Sequence, residues 1–260
     1  MGVEVAEIVA RLRAAGCVFA EDEAAILLET TTDPVRLDEL VSLRSSGVPL
    51  EHVVGWTRFA GLRLAVHPGV FVPRLRTEAL VRRAVAVTPD GATVVDLCCG
   101  CGAIGAAIAT AVPGIALWAS DIDPAAVRNA IENLAPFAAV VCEGDLDNGV
   151  PATLRGSAHV VVANVPYVPS GSIDFLPAEA REHEQRVALD GGDDGLQVLR
   201  RIAPRAVRWL RPGGWFLTEC ALDQASTAAL ALRAAGLEPL VFNDDELEVA
   251  IVSGRLNIES

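Results

Sequence analysis

From Ala92 onward the chain alternates between short apolar runs and helix-like segments. Strands are predicted at 93–97, 115–119, 138–142, 159–163, 214–220, 238–242 and 248–252, and helices near 103–111, 124–134, 195–210 and 223–235. Such alternation is typical of a doubly wound, mostly parallel α/β sheet, because parallel strands need helical crossovers. The segment between the last two strands is too short for a crossover, so we expect that pair to be antiparallel.

Residues 1–47 are predicted to form a small helical domain. The first helix carries apolar residues at helical spacing and ends near Gly16. The second covers about 21–30, and the third begins with Asp33 as its N-cap and Pro34 at the first helical position. Its apolar face consists of Leu37, Leu40 and Val41.

Residues 48–75 change character, because glycines and prolines interrupt short strand-like runs. We expect a linker with a β-hairpin, of which the alternating segment 62–66 forms one arm. A helix is predicted over 77–87, and residues 76–260 are expected to form the α/β domain.

The charge balance limits the classes of partner. The chain has 34 acidic and 21 basic residues, a net charge of −13, which argues against nucleic acid because phosphate binding needs a basic surface. It shows no apolar run of the roughly 18 residues that a membrane span requires and no signal-peptide pattern at its start. We therefore expect a cytoplasmic protein that binds neither nucleic acid nor a membrane.

The first predicted strand is followed by a loop of small residues, which reads D-L-C-C-G-C-G from Asp96 to Gly102. A loop of this kind lets a ligand approach backbone N–H groups at a helix N-terminus. The next strand ends at Asp121, where a carboxylate can accept the ribose hydroxyls of a nucleoside. Both dinucleotide and S-adenosylmethionine sites share this arrangement, but Cys98 stands where a dinucleotide fingerprint begins with Gly, which favours S-adenosylmethionine. A third loop, at 143–146, follows the next strand and is expected near the adenine.

Three of the six cysteines, Cys98, Cys99 and Cys101, lie in this loop. Their spacing is not that of a C-x₂-C pair, and the sequence has no second Cys/His pair at zinc-finger spacing. We expect buried, reduced thiols and no metal site.

A second polar loop follows the strand at 159–163 and reads Asn164-Val165-Pro166-Tyr167. A planar NH₂ group is a weak nucleophile because its lone pair is delocalised. The Asn164 side-chain oxygen and the Val165 carbonyl can accept its two N–H bonds and hold the nitrogen in line with a methyl donor, while Tyr167 packs against the planar group. We predict that this loop binds the methyl acceptor.

Four sequence blocks resemble the release-factor glutamine N5-methyltransferase (HemK/PrmC) family. The family motif N-P-P-Y stands here as N-V-P-Y at 164–167, and P-R-P-x-T-E as P-R-L-R-T-E at 73–78. The linker signature stands at 49–55, and E-P-x-x-A-L-x-G-G-x-D-G-L appears at 184–196 with Gln185 in place of Pro. Three residues depart from the family pattern: Cys98, Val165 and Gln185. These departures resemble those of a divergent, actinobacterial-type branch of the family.

The resemblance implies a class I S-adenosylmethionine-dependent methyltransferase fold, with a seven-stranded, mostly parallel sheet and a small N-terminal helical domain. It implies S-adenosylmethionine as the cofactor and S-adenosylhomocysteine as the product. The expected cofactor-binding residues are Phe71, Arg74, Thr77, Asp96, Cys98, Cys99, Gly100, Cys101, Gly102, Asp121, Ile122, Asp145, Leu146 and Asn164. The expected catalytic and substrate-binding residues are Asn164, Val165, Pro166 and Tyr167, and Glu184 is a further candidate for the substrate.

The acceptor remains open between several classes. One is a glutamine amide in a protein, by resemblance a translation release factor. A second is a free small molecule with a planar amide or guanidinium head, such as arginine, for which Glu184 or Asp190 could supply a carboxylate. The net charge weighs against a third, N6-adenine methylation, and the retained loop residues weigh against a fourth, a degenerate fold that only binds.

Overall fold

The computed structural model describes residues 2–258. Its first three helices are α1 (Gly2–Ala14), α2 (Ala20–Thr30) and α3 (Pro34–Ser45). Asp33 caps α3 by accepting from the Val35 amide at 3.0 Å, as the sequence indicates. The three helices pack around a small apolar core of their own that includes Leu12, Leu27 and Leu40.

A short helix and a hairpin connect these helices to the rest of the chain. Helix α4 (Leu50–Val54) ends at Gly55, whose φ of +81° favours glycine, and was not expected from the sequence. Strands β1 (Trp56–Phe59) and β2 (Leu62–Ala65) form the expected antiparallel hairpin.

The main sheet has seven strands in the order β5-β4-β3-β6-β7-β9-β8. Their bounds are β3 (Thr93–Leu97), β4 (Ala116–Asp121), β5 (Val140–Glu143), β6 (Ala158–Ala163), β7 (Leu210–Cys220), β8 (Leu237–Asp244) and β9 (Val249–Leu256). Strands β5, β4, β3, β6 and β7 run parallel, and β9 is antiparallel to both β7 and β8. Six strands thus share one direction and one opposes them, which confirms the predicted sheet and its antiparallel final pair.

Helices cover both faces of this sheet. They are α5 (Glu78–Val87), α6 (Ala103–Ala111), α7 (Pro124–Leu134), α10 (Gln197–Val207) and α11 (Ala225–Ala234). Two short helices, α8 (Ala178–His183) and α9 (Arg186–Leu189), lie between β6 and α10. Two separate apolar cores result, because α5, α6 and α7 pack on one face and α10 and α11 on the other. Helices α6 and α7 begin and end where the sequence predicts. Helix α10 ends earlier and β7 begins earlier than predicted, with a register irregularity between β6 and β7 near Ala158.

Two asparagines on α7 attach the hairpin to the sheet domain. The Asn129 and Asn133 side chains accept from the backbone amides of His67 and Ala65, each at 2.8 Å, and both donate to the Ala65 carbonyl. The segment before α5 is thereby held beside the carboxyl edge of the sheet. Among residues 2–258, none of the helices has the length and apolar character to span a bilayer.

Candidate functional site

A cavity of about 420 Å³ opens at the carboxyl edge of β3, β4 and β6. This is the edge at which open α/β sheets bind ligands, and the volume is in the range of small-molecule sites. Thirteen of the residues predicted for the site line it: Phe71, Arg74, Thr77, Cys98, Cys99, Gly100, Cys101, Asp121, Ile122, Asn164, Val165, Pro166 and Tyr167. The two loops that the sequence singled out therefore face one another across a single cavity.

The loop after β3 is shaped by left-handed backbone conformations. Cys98, Gly100 and Gly102 have φ values of +56°, +55° and +81°. Glycine is required at Gly102 for a second reason, since a Cβ there would lie 2.9 Å from the Leu134 side chain. The loop therefore packs closely on α7 and leads directly into the N-terminus of α6.

Asp121 joins this loop to the end of β4. Its Oδ2 accepts from the Gly100 amide at 2.8 Å, and its Oδ1 accepts from the Asp123 amide at 3.0 Å. Burial raises the pKa of Asp121, and the backbone donors Asp123 and Gly100 oppose that shift. Asp123, two residues on, caps α7 through the Ala125 amide, which leaves Asp121 for the cavity.

Asp96 lies beneath the loop and does not line the cavity. It is fully buried, and its Oδ2 accepts from the Gly105 amide at 2.9 Å. Its Oδ1 has no hydrogen-bond partner among the described residues. Burial raises the pKa of Asp96 to about 7, so its carboxyl group is half protonated near neutral pH.

The thiols of Cys98, Cys99 and Cys101 are held in their neutral form. Burial is the main cause that raises the pKa of each, and the nearby carboxylates Asp96 and Asp121 raise it further. Residues 2–258 hold no group of His, Cys, Asp and Glu side chains arranged for a metal ion. In this neutral form they are poor nucleophiles and poor metal ligands, since the thiolate is the reactive and metal-binding form.

Across the cavity, the Asn164 loop is tied to the entrance of α5 and to β7. The Asn164 Nδ2 lies 3.4 Å from the Thr77 Oγ1. The Tyr167 hydroxyl donates to Glu219 on β7 at 3.0 Å and accepts from the Arg76 Nε at 3.0 Å. Burial raises the pKa of Tyr167, and the negative charge of Glu219 raises it further, so the hydroxyl stays protonated.

A second loop, at 190–196, clamps the backbone of the Asn164 loop. Gly191 donates to the Val168 carbonyl at 2.8 Å, and the Gln224 side chain donates to the Tyr167 carbonyl at 2.9 Å. A Cβ at Gly195 would overlap both the Tyr167 carbonyl oxygen and the Gln224 amide. The glycines of this loop therefore allow the two backbones to touch.

Five predicted site residues do not line the cavity: Asp96, Gly102, Asp145, Leu146 and Glu184. Asp145 pairs with Arg201 at 2.7 Å, and the buried Leu146 accepts a hydrogen bond from Ser120 through its carbonyl.

Glu184 is turned inward because its side chain, 1% exposed, pairs with Arg74 at 2.6 Å and accepts from the Val72 amide. It holds the segment before α5 in place. The other candidate carboxylate, Asp190, accepts from Ser170 and from the Gly192 amide within its own loop.

The sequence analysis did not single out Arg76 and Glu179, which line the cavity, or Glu219 and Gln224, which contact Tyr167 from behind it. Glu219 stands at the end of β7, the next parallel strand of the sheet after β6, and Gln224 lies in the turn that follows it. Their position at the carboxyl edge was a usable signal, because polar side chains there belong to the ligand-binding side.

The arrangement fits S-adenosylmethionine on the donor side. Each Asp121 oxygen accepts one backbone hydrogen bond and retains a lone pair for a ribose hydroxyl. Phe71 and Ile122 offer apolar surface on the cavity wall for a planar base.

Comparison with known proteins gives the family. Residues 61–179 match the family model "Methyltransferase small domain". The release factor glutamine methyltransferase of Mycolicibacterium smegmatis is 37% identical over 233 residues, which are 88% of this chain and 80% of the relative. That of Streptomyces coelicolor is 36% identical, over 85% of each chain. A 4-amino-L-phenylalanine/4-methylamino-L-phenylalanine methyltransferase of Streptomyces pristinaespiralis is 35% identical, over 78% of this chain and 71% of its own.

Solved structures agree on the fold. A methyltransferase from Pyrococcus furiosus has a TM-score of 0.56 at 16% identity, over 76% of this chain and 90% of its own. The T. thermophilus 16S rRNA N2 G1207 methyltransferase, solved with AdoMet and guanosine, has a TM-score of 0.53 at 22% identity, over 78% of this chain and 50% of its own. With the 37% identity to the M. smegmatis enzyme over most of both chains, these matches confirm the predicted fold and resemblance. The chain is a methyltransferase and belongs to the release factor glutamine methyltransferase family.

Proposed function

We propose that the enzyme transfers a methyl group from S-adenosylmethionine to the side-chain amide nitrogen of a glutamine in a peptide chain release factor. The observation that carries this proposal is the placement of Asp121 and Asn164 on one cavity, at the carboxyl ends of β4 and β6, the two strands that flank β3. One side has the features of a nucleoside site, and the other offers hydrogen-bond acceptors for a planar nitrogen. The names of the relatives support the same reaction.

On the donor side, we assign S-adenosylmethionine, whose sulfonium supplies an electrophilic methyl group, to the cavity wall formed by the loop after β3. Asp121 accepts from the ribose hydroxyls, and the Gly100 region supplies backbone surface. Ile122 borders the adenine. The remaining cofactor-binding residues are those predicted from the sequence that line the cavity, namely Phe71, Arg74, Thr77, Cys98, Cys99, Cys101 and Asn164. Asp96, Gly102, Asp145 and Leu146 support this wall from behind.

On the acceptor side, catalysis rests on positioning. The Asn164 side-chain oxygen and the Val165 carbonyl accept the two N–H bonds of the substrate amide. Accepting both bonds increases electron density on the nitrogen and directs its lone pair toward the methyl group. As the N–C bond forms, the S–C bond of the donor would break to leave S-adenosylhomocysteine, and the nitrogen would release one proton to solvent. Pro166 stiffens the loop, and the Tyr167 ring borders the planar group, held by Glu219 and Arg76.

The mouth of the cavity supports a protein substrate. Val187 lines the cavity with an exposed side chain, and the exposed Leu75 and Phe175 are chain neighbours of lining residues. Exposed apolar groups around a polar site mark surfaces that bind a polypeptide more often than a small polar solute. The net charge of −13 continues to argue against nucleic acid.

A second candidate is N-methylation of a free amino acid that carries a conjugated nitrogen. The S. pristinaespiralis relative, which is named for two amino-substituted phenylalanines, favours it. An aniline nitrogen resembles an amide in that its lone pair is delocalised, so the same two acceptors could hold it. Val165, which replaces a Pro of the family motif, lies in the loop that contacts the substrate nitrogen, where a change of substrate would arise.

Transfer from radiolabelled S-adenosylmethionine separates the two candidates. The enzyme is incubated in parallel with a purified release factor, with free glutamine and arginine, and with 4-amino-phenylalanine. Incorporation into the release factor, lost in an Asn164→Ala variant, is the expected result. Incorporation into a free amino acid alone would replace the first candidate by the second.

A further inference from the structure

Glu219 is a buried carboxylate next to the acceptor loop. It lies at the carboxyl end of β7, is 1% exposed and is not a lining residue of the cavity. Its Oε1 accepts from the Tyr167 hydroxyl at 3.0 Å, while its Oε2 has no hydrogen-bond partner among the described residues. A carboxylate is costly to bury in such a place unless its surroundings offset the loss of water.

The groups around Glu219 are hydrogen-bond donors. Burial raises its pKa, while the Thr77 hydroxyl, the Tyr167 hydroxyl, the positive charge of Arg76 and the Asn164 amide oppose that shift. Thr77 also lies 3.4 Å from the Asn164 Nδ2. Tyr167 thus contacts the carboxylate directly, and Thr77 and Asn164, which contact one another, lie close enough to oppose the rise of its pKa.

We propose that Glu219 is a positioning residue, which orients the Asn164 side chain so that its carbonyl oxygen faces the substrate. This inference rests on the proposed function, since it concerns how Asn164 accepts from the substrate nitrogen. An ionised carboxylate only accepts hydrogen bonds, so the NH₂ half of the Asn164 amide must turn toward it. The oxygen half then points to the cavity. The Thr77 hydroxyl fits the same order, because it can accept from Asn164 and donate to Glu219.

The opposite orientation of Asn164 would stop the reaction. Its oxygen would then face the carboxylate, and its NH₂ group would face the NH₂ of the substrate, where neither can accept. Asparagine has no intrinsic preference between the two orientations, so the choice is made by its neighbours. Glu219 determines the orientation of the Asn164 side chain. Through the Tyr167 hydroxyl, the same carboxylate also fixes the ring that borders the substrate.

Two substitutions separate this role from a packing role. Glu219→Gln keeps the shape but offers an NH₂ group that can donate to Asn164, whereas Glu219→Asp keeps the charge and loses a methylene. We expect kcat to fall about 100-fold in Glu219→Gln, the size of losing one preorganised polar contact. We expect Glu219→Asp to retain more of kcat. The dissociation constant of S-adenosylmethionine should change by no more than about twofold in Glu219→Gln.

A packing role predicts the reverse order, because a carboxamide fills the site and an Asp leaves a void. Glu219→Gln with the kcat of wild type, or with a higher kcat than Glu219→Asp, would overturn the proposal. The matched control is Glu23→Gln, which changes another buried carboxylate, paired with Arg44 in the N-terminal helices. An equal loss of kcat in that variant would attribute the effect to stability and overturn the proposal as well.

A spectroscopic readout is independent of the acceptor. The side-chain NH₂ protons of Asn164 are followed by ¹⁵N-resolved hydrogen exchange and assigned by their loss in Asn164→Asp. They should exchange with water about tenfold faster in Glu219→Gln than in wild type, because the negative charge that orders the NH₂ group is removed. Equal exchange rates would refute the orientation by Glu219, even if the release factor proved not to be the substrate. Failure of the wild-type enzyme to methylate a release factor would instead reject the proposed function.

Discussion

Replacing Asp121 by Asn tests the donor site, because it exchanges one carboxylate oxygen for an NH₂ group and leaves the rest of the side chain as it is. Both oxygens of Asp121 accept a backbone hydrogen bond, Oδ2 from Gly100 at 2.8 Å and Oδ1 from Asp123 at 3.0 Å. A carboxamide can accept at one of these positions only, so it sets an NH₂ group against a backbone N–H at the other. The variant must therefore release either the loop after β3 or the start of the turn into α7. In addition, one of the acceptors assigned to the ribose hydroxyls is lost.

The size of the effect follows from these contacts. Leaving one buried polar group without its partner costs about 1–3 kcal/mol. At 1.4 kcal/mol for each factor of ten, the dissociation constant of S-adenosylmethionine should rise about 5- to 140-fold. The fold should survive, because Asp121→Asn fills the same volume.

Isothermal titration calorimetry with S-adenosylmethionine and S-adenosylhomocysteine measures this effect directly. The matched control is Asp123→Asn, the same change two residues along the chain. Asp123 caps α7 through the Ala125 amide, and Asn is an equally good cap, so that variant should bind with the affinity of wild type. Unchanged affinity in Asp121→Asn, or an equal loss in both variants, would refute the role of Asp121 at the ribose.

Three further predictions concern the two loops and the buried acid between them. Asn164→Ala should reduce kcat at least 100-fold while the calorimetric affinity for S-adenosylmethionine stays within about tenfold, and near-normal turnover would contradict the acceptor role. Gly102→Ala should weaken cofactor binding and thermal stability far more than Gly100→Ala. The two glycines both have positive φ, but only at Gly102 would a Cβ contact Leu134, so equal losses in the two variants would contradict this packing. The raised pKa of Asp96, about 7 in the folded state against 3.8, favours the protonated form, so its contribution to stability is complete below pH 4 and lost as the pH rises through 7. Between pH 4 and 8, the free energy of unfolding of wild type, measured with urea, should therefore fall by about 4 kcal/mol relative to that of Asp96→Asn, at about 1.36 kcal/mol per pKa unit. Parallel pH profiles of the two free energies would contradict this prediction.

The elements that position the site were largely predictable from local signals. Asp33 and Asp123, each followed by Pro, cap their helices as the sequence indicates. Strands β3, β4 and β6 are apolar runs that end at polar loops, so the meeting of those loops at one edge follows from the parallel arrangement alone.

The contacts that turn Glu184 and Glu219 inward were not predictable in this way. Glu184 pairs with Arg74 across 110 positions of the chain, and Glu219 meets Tyr167 across 52. Neither pairing leaves a periodic pattern, because it depends on how distant segments pack. The sequence suggests a substrate role for Glu184, yet its side chain is occupied within the protein.

The region between β6 and α10 shows the same limit. No regular elements were predicted between 164 and 194, but two short helices, α8 and α9, lie there. Helices of this length have little intrinsic stability and depend on tertiary packing. The loop at 190–196 is rich in glycine because Gly195 lies in tight contact with the Tyr167 carbonyl, although the two loops are far apart in the sequence.

The central claim is that Asn164 and its neighbours present a planar amide nitrogen to the methyl donor. The most direct test is tandem mass spectrometry of a release factor after incubation with the enzyme and S-adenosylmethionine, which locates any added methyl group to a residue and an atom. A single methyl on a glutamine side-chain nitrogen, absent with Asn164→Ala, is the predicted result. An unmodified release factor, or a methyl group on any atom other than an amide nitrogen, would contradict the account.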